Sequence, residues 1–329
     1  MDPEEGDPVA DDRLERAVMG EEAVFTAEQI ADTTGITLDQ ARRLWRALGF
    51  AEFGDAVAFN HSDAAAVRTL KLFIDSGAVD FDTAVNMTRG VGQTMSRLAD
   101  WEVATLVTRV EELEASEQAT GSRVTSAIRL IDEVNEPFEE LLLYVWRRHL
   151  AAAVARVEAM GAKDEDLHTI EASVGFADIV AFTALSNRID RVKLGDLVEV
   201  FEARCQDVVS RLGGRIIKSL GDSVLFLVPD ANTAVEISEG IINVVGRDKK
   251  MPDIRVGVAS GPVIQRLGDV FGPPVNMAAR LTAVARRNRI IIDQSTADRL
   301  NPEVYESRRL TARPVRGFGL VEPLTVRRR

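Results

Sequence analysis

Two hydrophobic periodicities divide this chain. From about residue 14 to residue 161, apolar residues recur every three or four positions and Pro137 is the single proline, so the pattern predicts helices. Thr26-Ala-Glu-Gln29 reads as a capping box that opens one helix; Gly35 closes it. Thr37 caps the next, which carries Leu38, Ala41, Leu44 and Trp45 on one side. Two short helices joined by a glycine-containing turn predict a helix-turn-helix over about residues 25–50. Further helices are predicted over 62–75, 80–89, 91–117 and 121–135. Pro137 is expected to start a long linker helix over about 138–160, with Glu139 and Glu140 in its first turn and Arg147, Arg148 and Arg156 further on, matching the helix dipole.

From about residue 167 the period changes. Strand-like runs at 171–176, 215–220, 223–228, 254–260 and 289–293 alternate with helical runs at 193–212, 232–245 and 275–285, and a hairpin closes the chain over about 307–326. The order is β-α-β-β-α-β with additions, an α+β sheet covered by helices. The chain therefore reads as an all-α domain over 1–160 and an α+β domain over 165–329.

Charge sharpens the division. Residues 1–160 hold 15 basic and 30 acidic side chains, and the remainder 25 and 22. The second half is the better host for a polyanionic substrate, and the first a poor one for nucleic acid. A single cysteine, Cys205, excludes an intrachain disulfide and a Cys-rich zinc site. The acidic N-terminus has no apolar core, and no run reaches the ~20 apolar residues of a membrane span, so the expectation is a soluble, cytoplasmic protein with no membrane partner.

Two places carry candidate chemistry. In Phe176-Ala-Asp-Ile-Val-Ala-Phe-Thr183 an apolar strand ends at Asp178 and runs into a helix start. Mg²⁺ sites use one or two carboxylates and leave other positions to water and phosphate, which a strand-end aspartate suits. In Lys218-Ser-Leu-Gly-Asp-Ser-Val-Leu-Phe226 two apolar strands flank Gly221-Asp222, a tight hairpin with a carboxylate at its tip. Taken alone, Asp178 is a helix cap and Gly-Asp a common turn. Together on adjacent strands they bring two carboxylates to one spot, where they repel unless cations bridge them. Two metals between two aspartates can clamp both sides of a phosphoryl displacement.

The segments FADIVAFT, KSLGDSVLF, RVGVASGPV and FGPPVNMAARL occur in the order and at the spacing of the class III adenylate and guanylate cyclases, and the chain resembles that family over about residues 170–326. The resemblance implies a ferredoxin-like catalytic domain preceded by a regulatory one. It implies that Asp178 and Asp222, with the backbone carbonyl of Ile179, hold two divalent ions, Mg²⁺ or Mn²⁺. Lys218 and Asp269 match the pair that reads the purine. A donor to N1 and an acceptor from the N6 amine fit adenine, and guanine's O6 would face the carboxylate, so the pair implies ATP. Asn276 and Arg280, one helical turn apart, match residues that orient the ribose and stabilise the transition state. Arg316 aligns with a basic residue on the outgoing phosphates. Pro273-Pro274 stand where many members have Gly, Asp or Thr, and Ser223 where several have an acidic residue. The family builds each site between two catalytic domains, which implies a head-to-tail homodimer.

The N-terminal half resembles the regulatory domain of pH-sensing actinobacterial cyclases. Arg42, Arg43 and Arg46 fall on the second helix of the helix-turn-helix, so a DNA-binding transcription regulator with a nucleotide-sensing cyclase-like domain is the alternative reading; the acidic surroundings favour a helical scaffold. A diguanylate cyclase is disfavoured because Leu220-Gly-Asp-Ser-Val lacks the expected Gly-Gly-Asp/Glu-Glu-Phe pattern. His149 in the linker helix and His168 just past it stand at the junction, and histidine is the side chain whose unperturbed pKa lies near neutrality, so they are candidates for an acid-dependent switch. The apolar N-terminal helices are also expected to leave room for a small apolar ligand.

Overall fold

The computed structural model describes residues 8–159 and 169–329, which fall in two compact units, Met1–Met160 and Gly161–Arg329. His168 lies outside the described residues.

The first unit is all helix: α1 (Pro8–Met19), α2 (Ala27–Thr34), α3 (Leu38–Leu48), α4 (His61–Asp75), α5 (Phe81–Glu114) and α6 (Arg123–Ala159). Thr26 and Thr37 each accept a bond from the backbone N–H three residues on, and Gln29 and Gln40 reach back to the cap N–H groups. Gly35 and Gly49 end α2 and α3 in the left-handed conformation. Between these helices and α4, Trp45 stacks on Phe59 with 4.3 Å between ring centres, over buried Ile30, Ala41 and Val67. Two of the three arginines of α3 are engaged within the unit. Arg43 donates to Asp82 at 2.9 Å and lies over the Phe81 ring, and Arg46 pairs with Glu52.

Two expected breaks are absent. Residues 80–117 were expected as two helices, 80–89 and 91–117, yet α5 runs unbroken through Gly90 and Gly92. Gly92 is there for packing: a Cβ on it would lie 2.2 Å from the Leu48 carbonyl oxygen, so its absence lets α3 dock against α5. Pro137 was expected to start a helix but lies inside the 37-residue α6. A proline there forfeits its own N–H bond and crowds the carbonyl four residues back, yet the turns on either side continue the helix.

The second unit is a mixed sheet in the order β2-β3-β1-β4-β6-β10-β7. Its strands are β1 (Thr169–Ile179), β2 (Arg215–Ser219), β3 (Ser223–Val228), β4 (Ile254–Arg266), β6 (Ile290–Ile292), β7 (Tyr305–Arg309) and β10 (Leu324–Arg328). All neighbours are antiparallel except β4 and β6. A short strand, β5 (Asp269–Phe271), folds back on β4, and β8 (Arg313–Val315) with β9 (Gly319–Val321) forms a separate ribbon. The helices are α7 (Phe182–Ser186), α8 (Arg191–Arg211), α9 (Ala231–Ile241, continued by a π-helical turn), α10 (Pro273–Val284) and α11 (Gln294–Asp298).

Alternation along the strands gives the sheet two unlike faces. Ala177, Ile179, Val224, Phe226 and Val228 join residues of α8 and α9 in the larger core. Val174, Phe176, Leu225 and Leu227 point the other way, where α10 packs through Val275, Met277 and Ala278. Among the described residues no helix is long and apolar enough to cross a membrane.

Candidate active site

Strand register places the candidate residues. Asp178 is opposite Ser223, and the Ile179 N–H donates to the Asp222 carbonyl oxygen at 2.9 Å, so the two aspartates sit side by side at one end of β1 and β3. Gly175 permits this close pairing, since a Cβ there would fall 2.1 Å from the Phe226 ring. The Ile179 side chain is buried in the larger core, so any metal contact from this residue comes from its backbone carbonyl. Burial holds the Asp178 carboxyl above the ordinary carboxylate range, against the pull of Arg255, and nearby Asp222 adds to the rise. A carboxylate penalised by burial and by a second carboxylate is relieved by a cation. The described residues contain no cluster of three or more metal-ligating side chains. Two carboxylates at an open sheet end fit a hard divalent ion whose remaining ligands are water and phosphate.

Lys218 lies opposite Leu225, which lies opposite Phe176. Directly paired residues share a face, and so do positions i and i+2. Lys218 and Asp178 are therefore on the same face, in rows about 7 Å apart along the strands and two strands apart. Asp269, at the start of the returning β5, receives Lys218 Nζ on Oδ2 at 2.6 Å, and its Oδ1 accepts the Val270 N–H. The lysine and the carboxylate are thus already opposed, a donor beside an acceptor.

Asn276 and Arg280 are exposed on α10, which covers this same face. Pro273 and Pro274 occupy the first two positions of the helix, where their missing N–H groups cost nothing. Close docking sets the height of α10. A Cβ on Gly257 would come 2.4 Å from the Thr282 backbone nitrogen, and Thr282 Oγ1 donates to the Ala278 carbonyl. Asp178, Lys218, Asp269, Asn276 and Arg280 thereby belong to one side of one sheet, with Asp222 in the β2–β3 turn beside Asp178. Arg316 is exposed in the β8–β9 turn and makes no contact with them. His149 is exposed on α6 and makes no hydrogen bond or ion pair among the described residues.

Arg255 belongs with this group and was not singled out from the sequence. Its Nε donates to Asp178 Oδ2 at 2.7 Å and its Nη1 to the Ala283 carbonyl near the end of α10 at 3.1 Å. It ties Asp178 to the helix that carries Asn276 and Arg280. The signal was an arginine opening the otherwise uncharged run Arg255-Val-Gly-Val-Ala-Ser-Gly-Pro-Val263.

The site and fold define a class III nucleotidyl cyclase catalytic domain behind a helical domain. The adenylate and guanylate cyclase catalytic domain family matches residues 167–326, and the adenylate cyclase regulatory domain family matches residues 10–150. An adenylate cyclase of Streptomyces coelicolor is 36% identical over 99% of this chain and 93% of its own length. An adenylate cyclase of Streptomyces griseus is also 36% identical, over 98% of this chain and 90% of its own length. A pH-sensitive adenylate cyclase of Mycobacterium tuberculosis is 27% identical over 87% of this chain and 72% of its own length. The chain belongs to the adenylate and guanylate cyclase family, with the regulatory domain of the adenylate cyclases ahead of the catalytic one.

Proposed function

We propose that the protein is an adenylate cyclase that converts ATP to 3′,5′-cyclic AMP and pyrophosphate at sites shared by two copies of the chain. The observation that carries the reading is the opposed Lys218–Asp269 pair on the same sheet face as Asp178, with Asp222 in the turn beside it. On binding, the pair opens to the purine edge: the ammonium faces adenine N1, and the carboxylate accepts from the N6 amine. Guanine leaves that carboxylate facing an oxygen, and an unpaired buried acceptor is strongly rejected.

Asp178 and Asp222 would hold two divalent cations, which lower the pKa of the ribose 3′-hydroxyl and neutralise charge on the phosphates. Asn276 orients the ribose so that the 3′-oxygen lies in line with the α-phosphorus. Arg280 stabilises negative charge on the α-phosphoryl oxygens as the bond to pyrophosphate breaks, Arg316 meets the outgoing phosphates, and Arg255 holds Asp178 in position. The work is positioning and charge stabilisation.

The β4–β5 hairpin supports the two-copy site. It presents Ile264, Phe271 and, at its turn, Leu267, which is 78% exposed at φ 53°. An apolar side chain held out to water in a strained turn suits burial against a second copy. Regulation is assigned to the helical unit. There α1, α5 and α6 line an apolar cavity of about 600 Å³, with Val18, Val103, Val110, Ala127 and Ile131 in its wall, sized for a small apolar ligand. His149, exposed on α6, is the described candidate for acid sensing.

Turnover of ATP and GTP with Mn²⁺ tests the reading, at acidic and neutral pH. Cyclic AMP from ATP, with GTP poor and Asp222→Ala inactive, is the expected result. Mixing inactive Asp222→Ala with inactive Arg280→Ala chains should restore up to ~25% of the activity, because half of the mixed dimers' sites are intact. No cyclic product under any condition removes the enzyme reading. Activity of each chain that is unaffected by mixing removes the shared site.

A further inference from the structure

We propose that the groove between the end of α10 and the β6-β10-β7 edge of the sheet binds an oligophosphate anion, at a site separate from the one that performs cyclisation. A cavity of about 570 Å³ opens there, within the size range of small-ligand sites. Five arginines line it: Arg286, Arg289, Arg308, Arg313 and Arg327, against one carboxylate, Glu306.

The fold brings these charges together from distant parts of the chain. Arg308 is opposite Thr325, and Thr325 is opposite Ile291, so one row across β7, β10 and β6 makes the floor. Arg327 and Glu306 form the next row on the same face. Arg286 and Arg289 come from the loop after α10, and Arg313 from β8 on the far side.

Their bonding leaves cationic capacity directed at the groove. Glu306 is taken by Arg327, and Arg313 donates to the Val284 carbonyl at 3.3 Å. Arg286, Arg289 and Arg308 are exposed and have no acidic partner among the described residues. Neighbouring arginines of the unit are paired: Arg287 with Asp253, Arg299 with Glu171 and Arg309 with Glu322. Guanidinium groups gathered without carboxylates repel one another, and a concave wall focuses their potential.

The chemistry selects the ligand class. A guanidinium offers a planar fork of donors that matches phosphate oxygens two at a time. Forks from three separate segments suit an anion with several linked phosphates better than a single carboxylate. The groove abuts Val284 at the C-terminal end of α10, and none of Asp178, Asp222, Lys218, Asp269, Asn276, Arg280 and Arg316 lines it. The ligand is either a free polyphosphate chain, such as pyrophosphate, or the phosphate tail of a nucleotide.

The test is calorimetric titration of the full chain with tripolyphosphate in EDTA, which removes metal-dependent binding between Asp178 and Asp222. The expected result is one saturable, salt-sensitive event per chain. It should weaken at least tenfold in an Arg289→Ser/Arg308→Ser double variant and stay unchanged in Arg280→Ala. Arg286→Ser, a single change in an exposed loop, should weaken it severalfold and serves if the double variant does not fold. ATP in EDTA distinguishes the sources. Equal affinity for ATP and tripolyphosphate assigns the site to the phosphate chain, and tenfold tighter ATP lost in the same variants assigns it to a nucleotide. The proposal falls if no saturable binding occurs. It also falls if binding ignores the groove variants but is lost with Arg280→Ala, or if the groove arginines retain the chain only on anionic vesicles.

Discussion

In the catalytic unit Phe201, Phe226 and Leu281 are fully buried, and the candidate side chains are placed by partners far away in sequence: Asp178 by Ser223, Lys218 by Asp269, α10 by Gly257. In the helical unit the order is local. Caps at Thr26, Thr37, Asn60 and Asp80 start its helices, while Trp101 and Trp146 on the two longest remain 61% and 59% exposed. The two kinds of order respond differently to change. Sheet pairing holds catalytic groups at fixed spacing, as a reaction limited by positioning requires. Long helices with uncovered apolar faces leave their state dependent on what covers them, as a regulatory element requires.

The sharpest way to break this comparison is at Arg280. It is exposed and bears no part of the core, so Arg280→Ala should leave the melting temperature unchanged. On the proposed role, kcat should fall by about 10²–10³, the usual loss for a transition-state donor. Steady-state kinetics beside thermal unfolding checks both halves. A kcat within threefold of the parent would show that α10 carries structure alone.

Second in size is Pro137→Ala. An interior proline is about 3 kcal/mol worse than alanine in a helix, so α6 should gain stability approaching that amount. Chemical denaturation of the full chain measures it. If the proline marks a point where α6 must bend to regulate, the more stable variant will respond less to pH; an unchanged response separates helix stability from regulation.

Two glycines inside α5 give the next test. Gly90 has open space where a Cβ would go, whereas Gly92 faces the Leu48 backbone. Gly90→Ala should stabilise the helical unit by about 0.5–1 kcal/mol through helix propensity. Gly92→Ala should destabilise it by about 1–3 kcal/mol by forcing α3 from α5. Opposite signs two residues apart would confirm that Gly92 is a contact. Matching signs would mean that α3 and α5 adjust to one another freely.

How much was legible follows from the same physics. The catalytic fold could be read because its chemistry is written in short runs: apolar strands ending at Asp178 and around Gly221-Asp222, and Asn276 and Arg280 one turn apart. Strand limits were close for β2 and β3. What escaped was long-range. β5 has three residues, too few for a period, so the sequence alone did not show how Asp269 comes to Lys218. Arg255 was hidden because its role is a bond to Asp178, 77 residues away. In the helical unit Gly92 and Pro137 were read by local propensity, and tertiary packing and neighbouring turns overruled both. The unpartnered arginines of the distal groove give no local pattern, since Arg289 and Arg308 meet only after β6, β10 and β7 align.

The smallest expected effect lies at Asp293, which caps α11 by accepting the Thr296 N–H at 2.8 Å. Burial raises its carboxyl above the ordinary range, against the hydrogen bonds from Thr296 and Ser260 that favour the charged form. Because the folded pKa is the higher one, ionised Asp293 costs stability at neutral pH. That cost disappears as the pH falls through the folded and then the unfolded value. Asp293→Asn keeps the capping acceptor and removes the charge. The variant should melt slightly above the parent at neutral pH, and the gap should close on acidification into the carboxylate range. Thermal unfolding at both pH values measures it. A variant less stable at neutral pH would show that the charge strengthens this cap more than burial penalises it, and that the rigid unit uses ionised caps as the helical unit does at Asp80.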